Sequence, residues 1–126
     1  MTEPDRELIV EFRSYHLKPG RRAKFHRMLT DESLAMLHDF GIRVVRFGPS
    51  LHDNDSYLLI RAYPSMAERI RQEEAFYGSE RWLNHFDERV MEMIDIYVTT
   101  VISLPVSAVD ALQDPAALPP RHGAHS

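Results

Sequence analysis

The sequence predicts a single α+β domain whose elements run β-α-β-β-α-β around a four-stranded antiparallel sheet. Three observations predict it. Residues 7–15 alternate with period two, Leu8, Val10 and Phe12 on one side and Glu11, Arg13 and Tyr15 on the other. Three further β-forming runs follow, at 42–47, 57–63 and 96–104. Two stretches with apolar residues at helical spacing separate the first run from the second and the third from the fourth.

The first strand stops at Lys18-Pro19-Gly20, because proline lacks a donor and glycine has no side chain to pack. The first helix carries Phe25, Met28, Leu29, Met36, Leu37 and Phe40 and ends at Gly41, well placed as a C-terminal cap. Thr30-Asp31-Glu32-Ser33 interrupts its apolar stripe, so a bend or restart is expected there. The second and third strands form a hairpin across His52-Asp53-Asn54-Asp55. Pro64 ends the third, and Ser65-Met66-Ala67-Glu68 reads as a capping box for the next helix. Phe76-Tyr77-Gly78-Ser79 is a break, with Ser79 free to cap a further helix bearing Trp82, Leu83, Phe86, Val90 and Ile94. Residues 1–6 read as a disordered N-terminus and 7–104 as the domain. Residues 105–126, rich in proline and alanine, read as a mostly mobile tail with a short helix near 109–112.

This order is the split-βαβ, ferredoxin-like pattern. Right-handed crossovers put both helical layers on one face, with the first and third strands central. The expectation is that the helices cover Leu8, Val10, Phe12, Leu58, Ile60 and Ala62. The opposite face would then carry Ile9, Glu11, Arg13, Tyr15, Tyr57, Leu59, Arg61 and Tyr63. Such a face is too apolar to leave in water, and a homodimer pairing it with its own copy would bury it.

Composition excludes several function classes. The 126 residues are 44% hydrophobic and 27% charged, with net charge -4. Scattered basic residues in a mildly acidic chain do not make a nucleic-acid face. Absence of cysteine excludes disulfide scaffolds, thiolate chemistry and zinc sites built on sulfur. No apolar run approaches the roughly 20 residues that cross a bilayer, so no membrane partner is expected and a cytoplasmic location is the default. No Gly-rich phosphate loop or serine-nucleophile motif occurs.

Glu11-Phe12-Arg13-Ser14-Tyr15-His16-Leu17-Lys18-Pro19-Gly20 resembles the opening motif of NIPSNAP domains, in which a Glu-hydrophobic-Arg strand leads through Tyr to Leu-Lys-Pro-Gly. His38-Asp39-Phe40-Gly41-Ile42, the 57–63 strand closed by Pro64-Ser65, and Phe76-Tyr77-Gly78-Ser79-Glu80-Arg81-Trp82 are similar in arrangement. The resemblance covers about residues 7–104. It implies the dimeric α/β-barrel superfamily, in which two ferredoxin-like subunits enclose a barrel. That superfamily includes antibiotic-biosynthesis monooxygenases, haem-degrading enzymes, lactone isomerases and polyketide cyclases, while NIPSNAP proteins have no agreed chemistry.

Arg13 and Arg61 fall on adjacent central strands on one face, beside Glu11 and Tyr15. Two guanidiniums against one carboxylate leave excess positive charge, which burial makes costly without a partner. The partner is either an interface salt-bridge network or an anionic small molecule gripped by the two arginines. Tyr77, Trp82 and His85 open the last helix, and such barrels commonly hold a ligand pocket between helices and sheet. Trp82 reads either as pocket lining or as a core anchor. His85 reads either as a surface residue or, if half-buried near Tyr77, as a proton-transfer group. His26 and His38, twelve residues apart on one helix, cannot share an ion, and no metal-ligand spacing occurs. Haem on a single histidine leaves no spacing signature. Three readings stay open. One is a homodimeric module binding a small hydrophobic or anionic molecule with no cofactor. Another is a cofactor-free isomerase, cyclase or monooxygenase acting on an aromatic or polyketide-like substrate. The last is a haem-binding or haem-degrading protein.

Overall fold

β1 (Glu7–Leu17) is central because it finds antiparallel partners on both sides, β3 (Ser56–Tyr63) and β4 (Ile94–Pro105). β2 (Arg43–Pro49) pairs with β3, giving the order β2-β3-β1-β4 in an open four-stranded sheet. These features come from a computed structural model that describes residues 5–119. The expected element order and central strands are therefore present.

The first helical layer is a rod made of α1 (Arg22–Met28) and α2 (Leu34–Asp39), joined by a π turn over Leu29–Ser33. The interruption expected at 30–33 is that turn. The rod ends at Gly41, whose φ of +76° only glycine adopts without strain, and whose N–H donates to the His38 carbonyl. α3 (Met66–Tyr77) starts at Ser65, whose hydroxyl accepts the Glu68 N–H at 3.1 Å. The Glu68 carboxylate turns to Arg71 instead of closing the box. α4 (Glu80–His85) is capped by Ser79 through the Trp82 N–H, and α5 (Asp87–Met93) follows directly.

The expected assignment of the two sheet faces is reversed. The helices pack on the tyrosine and guanidinium face. Phe25, Met28, Leu29, Met36, Leu37, Phe76, Phe86 and Val90 meet Tyr15, Tyr57, Leu59 and Tyr63 there in one buried cluster. The physical reason is satisfaction of charge. Glu11 and Arg61 on that face need donors and acceptors, and α3 supplies them from Arg69 and Glu73. Water-exposed Leu8, Val10, Ile60 and Ala62 would be equally untenable, and they are covered by a different element.

That element is α6 (Val106–Leu112), which folds back on the outer face and buries Val109 completely against Leu8, Val10, Val45, Ile60 and Ala62. A 3-10 turn, Pro115–Ala117, continues it. The mobile tail expected from 105 onward is thus corrected as far as Pro119, the last described residue, while the short helix expected near 109–112 falls within α6. β2 bulges at Val45, and the Asp114 N–H and Gln113 Nε2 donate to the Val45 carbonyl at 2.8 and 3.2 Å. The strap therefore anchors on an edge strand's unpaired groups. The disorder expected over 1–6 is corrected at Asp5, which takes bonds from Ser107, and at Arg6, whose carbonyl accepts the Val106 N–H. Residues 1–4 and 120–126 lie outside the described residues.

Candidate functional site

Register places Glu11 opposite Arg61 across β1 and β3, and Arg13 opposite Leu59. The Glu11 carboxylate is fully buried and each of its oxygens takes two N–H bonds. Arg61 Nε and Nη2 donate to Oε1 at 2.8 and 2.5 Å, and Arg69 Nε and Nη2 donate to Oε2 at 3.1 and 2.8 Å. Glu73, one helical turn after Arg69, accepts the Tyr63 hydroxyl at 2.7 Å and an Arg61 N–H at 3.4 Å. Arg61 Nη1 and Arg13 Nη1 both donate to the Tyr77 hydroxyl oxygen, at 2.9 and 2.8 Å.

Burial pushes the Glu11 carboxyl up, but its coupling to neighbouring Glu73 and the charges of Arg61 and Arg13 outweigh that and hold it down at about 2. Burial first, then its coupling to the neighbouring Glu11 carboxylate, raises Glu73 above its usual range. Burial, reinforced by nearby Tyr77, pushes Tyr15 up to about 12, so it is a proton donor at neutral pH. Three guanidiniums (Arg13, Arg61 and Arg69) face two carboxylates here, and the cluster carries one positive charge in excess.

This network forms the polar end of a cavity of about 40 Å³ between the helices and the sheet. Its walls are Phe25, Met28, Leu59, Phe76 and Trp82, and its polar lining is Tyr15, Ser33, Arg61 and Tyr77. The volume accommodates about three waters, at 10–15 Å³ of such space for each. Tyr77 and Trp82 are half-buried and packed edge to face at 4.9 Å, so they form the wall nearest solvent. Among the described residues the cavity lining includes no carboxylate and no imidazole.

Of the residues expected at a site, Tyr15, Arg61, Tyr77 and Trp82 converge on this cavity, and Arg13 joins through Tyr77. Arg13, Tyr15 and Arg61 lie beneath the helices rather than between two subunits, which corrects the location expected for those three. Trp82 does both jobs foreseen for it, lining the cavity while stacking on Phe86 and donating from Nε1 to Asp87 at 3.2 Å. His85 is corrected as a proton-transfer candidate. It is exposed at the end of α4 and lines no part of the cavity, because the chain turns at Phe86 to start α5. The other described histidines lie elsewhere too, His26 on the Tyr57 hydroxyl at 2.5 Å and His38 on the Ala117 carbonyl at 2.9 Å. His122 and His125 lie outside the described residues. No group of three His, Asp or Glu side chains able to hold a metal occurs among the described residues.

Three contributors escape sequence reasoning: Arg69, Glu73 and Ser33. The first two form an i,i+4 pair of opposite charge, a spacing that ordinarily marks a solvated helix face. Ser33 sits in the interruption of the first helix, and that interruption was the available signal.

The NIPSNAP family profile matches residues 10–107 of this chain. Solved structures similar in fold include an uncharacterized NIPSNAP domain protein from Burkholderia xenovorans, with TM-score 0.69 and 20% identity, covering 79% of this chain and 95% of that one. A NIPSNAP family protein with unknown function from Agrobacterium tumefaciens superposes with TM-score 0.71 at 19% identity, over 78% of this chain and 88% of that one. A putative antibiotic biosynthesis monooxygenase from Bacteriodes thetaiotaomicron reaches TM-score 0.59 at 13% identity, over 79% and 90%. No curated protein matches. With the profile spanning most of the domain, from the middle of β1 into α6, this chain belongs to the NIPSNAP family.

Proposed function

We propose that this protein is a small-molecule binding module whose helix–sheet cavity receives the acidic head of a small hydrophobic molecule. The carrying observation is the excess positive charge at one end of an otherwise apolar cavity. A buried cluster with an uncompensated guanidinium is stabilised by a bound anion, and apolar walls favour an organic one. Arg61 on the lining keeps one N–H, and Arg13, which reaches the cavity through Tyr77, has a buried Nε with no protein partner. An acid longer than a few atoms requires Tyr77 and Trp82 to swing outward.

A second reading, a cofactor-free isomerase, cyclase or monooxygenase, draws support from Tyr77. Two guanidiniums occupy its oxygen, so its own O–H is left to donate, which suits a carbonyl or developing enolate oxygen. Among the described residues no carboxylate or imidazole lines the cavity to take a proton, which favours binding over proton abstraction. We also propose a homodimer formed through the part of the outer face that α6 leaves bare, and a cytoplasmic setting, consistent with the lack of cysteine.

Titrating acetate, propionate and benzoate against their uncharged amides, followed by protein NMR shifts, tests the binding reading. Acids should bind at least tenfold tighter than amides, and Arg13→Met should erase the preference while leaving the spectrum folded. Equal affinity for acid and amide, or no binding of any acid, overturns it.

A further inference from the structure

Two of the residues lining the cavity are open to solvent. Tyr77 and Trp82 are half-buried, whereas every other described lining residue is at most 8% exposed. The two are held in unlike ways. Trp82 stacks on Phe86 and donates from Nε1 to Asp87, away from the charged cluster. Tyr77 is held by its hydroxyl oxygen, which accepts one N–H from Arg61 and one from Arg13 at 2.9 and 2.8 Å. Arg61 is fully buried on the lining. Arg13 is half-buried and off the lining, its guanidinium 4.9 Å from the ring centre of Tyr97, a residue 48% exposed. The hydroxyl is thus gripped from the cavity and from its solvent margin.

The backbone beneath the pair is tied down. The Ser79 hydroxyl donates to the Phe76 carbonyl at 2.7 Å and accepts the Trp82 N–H at 3.1 Å, joining α3 to α4. A Cβ on Gly78 would meet the Glu74 carbonyl oxygen at 2.8 Å, so glycine is needed to close this corner. Opening therefore falls to rotation of the Tyr77 side chain, which requires both N–H bonds to break. A hydroxyl is a neutral acceptor, and a carboxylate forms bonds to guanidinium roughly twice as strong. An uncharged molecule has no such advantage.

Resting on the binding reading above, we infer that Tyr77 is an anion-operated gate. A carboxylate gripping Arg13 in a fork draws its Nη1 N–H from the Tyr77 oxygen, then does the same at Arg61. The freed ring turns aside. The acid group admits the molecule as well as anchoring it.

The test follows entry of benzoate and of benzamide by stopped-flow fluorescence of Trp82, the one tryptophan of the chain. A benzene ring fills a cavity of about 150 Å³, against about 40 Å³ here, so neither enters while the gate is shut. Wild type should admit benzoate about tenfold faster than benzamide. Tyr77→Phe keeps the ring and the charge of the cluster but removes the acceptor, so the two entry rates should converge. Long-range attraction of the anion would survive that change. Arg13→Met strips one of the two bonds and should also speed benzamide. Equal entry rates in wild type, or a tenfold gap that persists in Tyr77→Phe, overturn the gate, while tighter equilibrium binding of benzoate keeps the acid site. If benzoate binds no tighter than benzamide, or not at all, the acid site falls and the gate with it.

Discussion

At the scale of single residues, the Glu11–Arg61 pair decides most. A carboxylate with both oxygens doubly bonded and an arginine only marginally accessible make a pair whose breaking would strand a buried charge. Its titration has a definite sign. Glu11 falls from a usual 4.5 to about 2, so its contribution is complete above pH 4.5 and is lost as pH drops toward 2. Glu73 runs the other way: its raised carboxyl contributes below 4.5 and loses that contribution as pH rises through its folded value. Below pH 4, Glu73 is protonated folded or unfolded, and Glu11 governs. Urea unfolding of the wild type should therefore lose about 2 kcal/mol between pH 4 and pH 2. Glu11→Gln should start less stable and show a distinctly shallower loss over the same interval. The sequence displayed Glu11, Arg13 and Arg61 on one face because alternation in paired strands fixes that. It did not display Arg69 and Glu73 as their partners, because i,i+4 charges on a helix look alike whether they face solvent or a buried pair.

Among the elements, the C-terminal strap departs most from sequence expectation. Caps and turns were legible: Ser65, Ser79 and Gly41 each act through their own backbone neighbourhood. The π turn was legible as a gap in the apolar stripe of residues 22–40. α6 was legible only in part, as a short helix near 109–112, because seven residues are too few to hold a helix alone and its stability comes from packing. Val109 supplies that packing, fully buried at the centre of the outer-face cluster, while Arg43 ties the strap down through Asp110 at 3.0 Å and Gln113 at 2.9 Å. Val109→Ala should cost about 2 kcal/mol, a fall of roughly 8 °C in Tm for a domain of this size. Differential scanning calorimetry checks this. A change under 2 °C would mean that the strap does not hold the outer face.

Across the whole molecule, the two faces of the sheet have different destinies. The inner face holds the aromatic core, the ion cluster and the cavity. The outer face is half covered by α6, and beyond it Ile96, Val98 and Ile102 stand 58%, 59% and 43% exposed, with Leu58 at 37%. Their row continues Phe12 across the paired strands β1 and β4. An apolar patch of this kind favours a second copy, since a two-fold contact sets it against itself. Sedimentation velocity at micromolar concentration should report a dimer, and Val98→Lys with Ile102→Lys should give a folded monomer. A monomeric wild type would remove the homodimer. By itself the sequence determined the element order, the strand pairing, the caps and which side chains share a face, because each follows from local periodicity or from a residue's own backbone preference. Only the tertiary structure decided which face the helices cover, since both faces are apolar enough to be buried. It also brought Ser33, Arg69 and Glu73 to the site, because side chains from separate elements meet only once the layers have packed.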